Sequence, residues 1–165
     1  MKNNAIEEFY KQYHNDVFLY ALSLCNNFYE AESLTSDTFY KALLNVGNIK
    51  SNAKYWLLKV CKNTYIDKLR SHKHLKENYY DPNEVTDNIS ILDTLIKNED
   101  TKALYKAILK LNNPYRECVL LYYFHRYPMK EIAQMLNISA GSVRTIIYRS
   151  RIKLKQNLKE VNHEL

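Results

Sequence analysis

Glycine is nearly missing from this chain, with two in 165 residues beside only three prolines and three cysteines. Nucleotide-binding α/β folds need glycine-rich turns where backbone approaches phosphate, so a Rossmann or P-loop enzyme is disfavoured. Cys25, Cys61 and Cys118 are odd in number, far apart and set in apolar helical contexts, which indicates neither a disulfide framework nor a CxxC metal site. Buried thiols in a reducing compartment are the expectation. The longest apolar run, Cys118 to Phe124, is too short to span a bilayer, and Met1 to Glu8 holds no apolar stretch of a secretory leader. A cytoplasmic chain without direct membrane insertion is therefore expected. With few breakers and helical apolar spacing nearly throughout, the predicted fold class is all-α: two small helical domains joined by a linker.

Charge is the first thing present in quantity. The net charge is +6, and it is unevenly placed. Ten basic against seven acidic residues give +3 over 1–74, three against seven give −4 over 75–104, and eleven against four give +7 over 105–165. Two basic blocks around an acidic middle suit a polyanion gripped twice, with a connection that does not bind it. His72 and His74 sit among basic residues, but two-residue spacing puts them on different helix faces and no thiol or carboxylate joins them. No metal and no cofactor are expected.

Apolar residues Phe9, Tyr13, Val17, Tyr20, Ala21 and Leu24 recur at threes and fours, which predicts a helix from Ile6 to about Asn26, where Asn26-Asn27 breaks it. A second helix is predicted from Tyr29 to about Asn45, with Leu34, Thr38, Ala42 and Val46 or Leu43 inward and Glu30, Glu32 and Asp37 toward its start. Residues 45–52 read as a loop, and a third helix follows over 53–72, burying Trp56, Leu57, Val60, Thr64 and Leu69. Residues 75–95 turn acidic and polar, with Asp81-Pro82-Asn83 as a turn signal, and read as a linker. Helical spacing resumes with Leu104, Ala107, Ile108 and Leu111, pauses at Asn112-Asn113-Pro114, and continues through Val119, Leu120 and Tyr123.

The stretch Pro128 to Leu158 has the form of a helix-turn-helix. Ile132, Ala133 and Leu136 share a face, Ile138 fills the turn, and Val143, Ile147 and Leu154 resume the stripe. Pro128 suits a first helical turn and Ser139 an N-cap. On the second helix Arg144, Thr145, Tyr148 and Arg149 lie away from that stripe, a strip of base-reading side chains shaped for a DNA major groove.

Four motifs, in order, carry a family resemblance. Residues 30–43 (EAESLTSDTFYKAL), 55–70 (YWLLKVCKNTYIDKLR), 111–121 (LNNPYRECVLL) and 130–145 (KEIA through VRT) resemble those of sigma-70-family RNA polymerase sigma factors of the small extracytoplasmic-function (ECF) type, which carry regions 2 and 4 only. Ser33 stands where the family has an acid, Leu43 where it has tryptophan, and Ile146 where a basic residue is common. The resemblance implies a region 2 domain over 1–74, an acidic linker over 75–100 and a region 4 helix-turn-helix domain over 101–165. It implies a non-enzymatic initiation factor whose partners are core RNA polymerase, at the clamp helices of its largest subunit, promoter DNA, and an anti-sigma factor.

Residue roles follow from the same resemblance. Glu32, Asp37, Thr38 and Lys41 would meet polymerase. Asn48, Asn52, Lys59, Lys62, Asn63, Asp67 and Arg70 would recognise and open the −10 element, holding unstacked bases rather than reading duplex. Arg144, Thr145, Tyr148 and Arg149 would read the −35 element, with Arg151 and Lys153 on phosphates. The alternative is a one-component helix-turn-helix regulator that binds DNA without polymerase. It would need a ligand pocket or symmetric interface within residues 1–74, of which the sequence gives no sign. A recombinase is a poorer fit, since the first half lacks a β pattern and a serine grouped with arginines.

Overall fold

The computed structural model describes residues 2–49, 52–71 and 88–163, and every regular element among them is helical. The chain divides into two compact units, Met1–Asn88 and Ile89–Leu165. The expected turn at Asp81-Pro82-Asn83 and the basic residues His72, Lys73 and His74 lie outside the described residues, as does the side chain of Asn48.

Among the described residues the first unit holds α1 (Lys2–Cys25), α2 (Phe28–Leu44) and α3 (Ala53–Ser71), with a 3-10 turn at Val46–Asn48. Every residue from Val17 to Leu24 is buried, so this half of α1 is apolar all round rather than striped. The break between α1 and α2 is made by two asparagines with different jobs. Asn26 takes a left-handed φ of 52° and ends α1, while the Asn27 side chain accepts the Glu30 N–H at 3.0 Å and caps α2. Along α2 the inward stripe is Ala31, Leu34, Thr35, Thr38, Phe39 and Ala42. The two buried hydroxyls are satisfied locally, Thr35 donating to the Ala31 carbonyl and Thr38 to that of Leu34, each at 2.7 Å. Phe39 meets Phe9 and Tyr10 of α1 at ring distances of 6.3 and 4.8 Å, which seams the two helices.

Three expected core residues are on the surface instead. Leu43 is 47% exposed, Val46 58% and Leu69 51%. α2 stops at Leu44 and the chain tightens into the 3-10 turn, so Val46 leaves the 3.6-residue register that its spacing implied. Leu43 and Val46 line an apolar groove of about 380 Å³ with Ile6, Tyr10 and Phe39. Leu69 lies beyond Thr64, the last α3 residue to be buried. Trp56 is half-buried rather than central.

The second unit holds α4 (Asn88–Leu95), α5 (Glu99–Leu109), α6 (Tyr115–Val119) running into a π-helical turn (Leu120–Phe124), α7 (Met129–Leu136) and α8 (Ala140–His163). α4 falls inside the segment that composition marks as linker. Its Asp93 holds Lys102 of α5 at 2.5 Å, and Glu99 approaches the same ammonium at 3.0 Å. The Lys102 side chain is only 7% exposed, so the acids of that segment serve partly to pair a buried cation. Asn98 caps α5 by accepting the Thr101 N–H at 2.9 Å. α8 packs on α6 and α7 and touches α5.

Candidate nucleic-acid and polymerase interface

In the second unit α7, a tight turn and α8 form the helix-turn-helix. Asn137 adopts φ 56°, ψ 45° and ends α7, and the Ile138 N–H returns to the Ala133 carbonyl at 3.0 Å. The Ser139 hydroxyl oxygen then accepts the Ser142 N–H at 3.1 Å and starts α8, as its position predicts. Pro128 precedes α7 in extended conformation rather than occupying its first turn. Val143, Ile147, Ser150 and Leu154 face the core, all at most 6% exposed. The opposite strip, Arg144, Thr145, Tyr148 and Arg149, is exposed, with Tyr148 at 65%. The Thr145 hydroxyl donates to the Gly141 carbonyl at 3.1 Å, leaving its oxygen free to accept. Arg151 and Lys153 are exposed but engaged: the Tyr123 hydroxyl accepts from Arg151 Nε, and Lys153 Nζ lies 4.0 Å from the Tyr115 ring centroid. The Tyr123 hydrogen bond, the largest cause, holds the Arg151 guanidinium above its ordinary value.

In the first unit the outer face of α3 presents Lys59, Asn63, Asp67 and Arg70 to solvent with Lys62 half-exposed, spaced so that all share one side. Asn52 is exposed but partly committed, since its side-chain oxygen accepts the Tyr55 N–H at 3.2 Å at the start of α3.

Between α2 and α3 runs a shallow polar groove lined by Asp37, Tyr40, Lys41, Thr64, Asp67, Lys68 and Ser71. It joins Asp37 and Lys41, expected on the polymerase side, with Asp67, expected on the DNA side. Lys68 bridges the helices, 2.8 Å from Asp37 Oδ2 and 3.2 Å from the Ser33 hydroxyl, while Lys41 donates to the Thr64 hydroxyl at 2.9 Å. Glu32 is exposed and Asp37 is 48% exposed on its side chain. Thr38 does not join them. Its side chain is fully buried and bonded to its own helix, so it supports the face without reaching a partner, a correction to the expected set.

Sequence reasoning missed Lys68 and the tyrosines behind Arg151 and Lys153, because each partnership spans 28 residues or more and leaves no local pattern. Among the described residues no group of three or more His, Cys, Asp or Glu is placed to hold a metal ion, and no helix is long and apolar enough to cross a membrane. Burial pushes the Cys25 thiol up to about 11, and the thiol lies within donating reach of the Ala21 and Asn27 carbonyls at 3.1 and 3.4 Å.

An all-helical chain with a basic helix-turn-helix unit and a second helical unit carrying a polar groove defines a class of DNA-dependent transcription factor. The chain matches the family models for sigma-70 region 2 over residues 9–75 and sigma-70 region 4 over residues 101–154. It is 30% identical over 161 residues to the ECF RNA polymerase sigma factor SigM of Bacillus subtilis, covering 92% of this chain and 93% of that protein. To SigW of the same organism it is 27% identical over 164 residues, covering 90% and 86%. Two solved structures share the fold at 18% identity. One is a sigma factor RpoE in complex with the anti-sigma factor NepR from Bartonella quintana, with a TM-score of 0.67 over 93% of this chain and 96% of that one. The other is CnrH with the cytosolic domain of CnrY, with a TM-score of 0.62 over 96% and 90%. The chain belongs to the ECF group of the sigma-70 family of RNA polymerase sigma factors. It binds core RNA polymerase and directs promoter-specific initiation through −10 and −35 recognition, which removes the one-component-regulator alternative. Sigma factors are not enzymes.

Proposed function

We propose the following division of labour. α8 lies in the major groove of the −35 element, with Arg144, Thr145, Tyr148 and Arg149 on base edges and Arg151 and Lys153 on phosphates. The observation that carries this is the exposed polar strip set opposite a fully buried stripe on one capped helix. Arginines suit guanine edges, and the Tyr148 ring suits a thymine methyl. The outer face of α3, with Asn48 and Asn52 before it, meets the −10 strand. Glu32, Asp37 and Lys41 on the α2 side of the groove meet the clamp helices of polymerase. Residues 1–74 and 101–165 act as the two functional domains and 75–100 as their connection, in the cytoplasm. An anti-sigma factor is a further partner, a reading supported by the structural neighbour described as a complex with the anti-sigma factor NepR.

Capture on purified core polymerase followed by run-off transcription from a promoter library tests this division. The expected result is one −10/−35 consensus, with Asp37→Ala lowering core binding and Arg144→Ala altering the −35 preference alone. Retention of full core binding by a Glu32→Ala/Asp37→Ala/Lys41→Ala variant would overturn the polymerase assignment.

A further inference from the structure

The segment from α6 into the π-helical turn does more than cover α8. It sends one tyrosine to each flank of that helix. Tyr123 accepts a hydrogen bond from Arg151 Nε and lies under its guanidinium, 5.6 Å from ring centroid to carbon. Tyr115 lies under Lys153 on the other side at 4.0 Å. The π-helical turn aims the first of these: the His125 N–H reaches back five residues to the Leu120 carbonyl at 3.2 Å, with Leu120 and Leu121 buried while Tyr123 stays 39% exposed. Such turns often sit at functional positions because the extra residue redirects the side chains after it.

Arg151 and Lys153 are two residues apart and so about 200° apart around the helix axis, measured across its exposed side. The strip Arg144, Thr145, Tyr148 and Arg149 lies between them, away from the buried stripe. The two cations therefore bound the strip, one at each edge, where a helix in a major groove has a sugar-phosphate strand on either side. We infer that Tyr123 and Tyr115 are positioning residues for promoter binding, holding Arg151 and Lys153 at the two edges of the base-facing strip so that each meets a backbone phosphate already ordered. This rests on the reading of α8 as the −35 reader. Neither tyrosine touches DNA in this role. Each acts through its cation by removing rotamer freedom that binding would otherwise have to remove.

The test uses holoenzyme reconstituted with the full chain, and promoter binding followed across a salt series. Tyr123→Leu should weaken binding about two- to tenfold, equally on matched and −35-substituted promoters, with Tyr123→Phe in between. Arg151→Gln should weaken it further and lower the salt slope by about one. Adding Tyr123→Leu to Arg151→Gln should then change nothing more, and Tyr115→Leu with Lys153→Gln should behave in the same way. The inference is overturned if Tyr123→Leu has the same effect with and without Arg151, which would make the ring structural packing only. It is also overturned if both tyrosine variants bind as the parent does while Arg151→Gln weakens binding. Arg149→Ala, run in parallel, separates this from the reading beneath it. If that variant shows no base-dependent loss and Arg151→Gln keeps the parental salt slope, the −35 assignment of α8 fails and the positioning role falls with it. Should Tyr123→Leu fail to fold, Tyr115→Leu with and without Lys153→Gln supplies the same comparison.

Discussion

Asn137 shows how a chain with two glycines makes its turns. Among the described residues four non-glycine residues have positive φ, three of them asparagines, at positions 26, 52 and 137, and neither glycine has a positive φ. Asparagine tolerates the left-handed region because its short amide can bond locally, whereas a residue with an ordinary Cβ loses about 1–2 kcal/mol there. Asn137→Ala should accordingly lower stability by about 1 kcal/mol, and Asn137→Gly should be close to neutral, as read by thermal melts of the purified chain. The same turn sets the entry of α8, so the cost also reaches function. On α8 itself, Arg149→Ala should remove about 1–3 kcal/mol of discrimination at a single −35 position, measured by competition among promoters that differ at one base. A uniform loss across all sequences would mark Arg149 as a phosphate contact instead.

The helix boundaries were legible in sequence because caps and breakers are local chemistry. Asn27 and Ser139 mark their junctions by side-chain hydrogen bonds made within three residues, and Asn26 by its left-handed backbone. Burial was less legible. The stripe Leu34, Thr38, Ala42 is buried as its spacing predicts, yet Val46 and Leu69 are exposed because the helices end or run past their neighbours. α4 was hidden for a different reason. Its acidic surroundings read as a solvated connection, and only the fold reveals that Asp93 has a buried cation to pair with. The Lys102 hydrogen bond, the largest cause, holds the Asp93 carboxyl below the usual carboxylate range. A depressed folded value stabilises above the ordinary carboxylate range and is lost as pH falls through the folded one, so this tie should persist at neutral pH and fail only on acidification below the ordinary carboxylate range. Asp93→Asn should remove it at all pH values. Hydrogen exchange of the α4 amides, slowed in the parent at neutral pH, should become fast in the variant, and equal rates in both would show that the pair does not hold α4.

At the scale of the whole molecule the candidate surfaces differ in how far they follow from sequence, although each half carries its own motif. The exposed strip on α8 follows from periodicity alone, whereas the meeting of Asp37, Lys41, Asp67 and Lys68 in one groove depends on how α2 lies against α3. No spacing rule within one helix predicts that. Two compact units also imply two cores that answer separately to mutation. Leu57 is fully buried in the first, among α1, α2 and α3, and truncating such a leucine costs roughly 2–5 kcal/mol through lost burial and the cavity left behind. A unit of this size has a total stability of about the same order, so Leu57→Ala should unfold or nearly unfold α1 to α3. If the units are thermodynamically separate, the amides of α7 and α8 should keep their exchange protection in that variant while those of α1 to α3 lose theirs. Core-polymerase capture should fall with the first unit. Loss of protection in α8 to the same extent would mean that the two units fold as one, and that damage to the region 2 core reaches the region 4 unit.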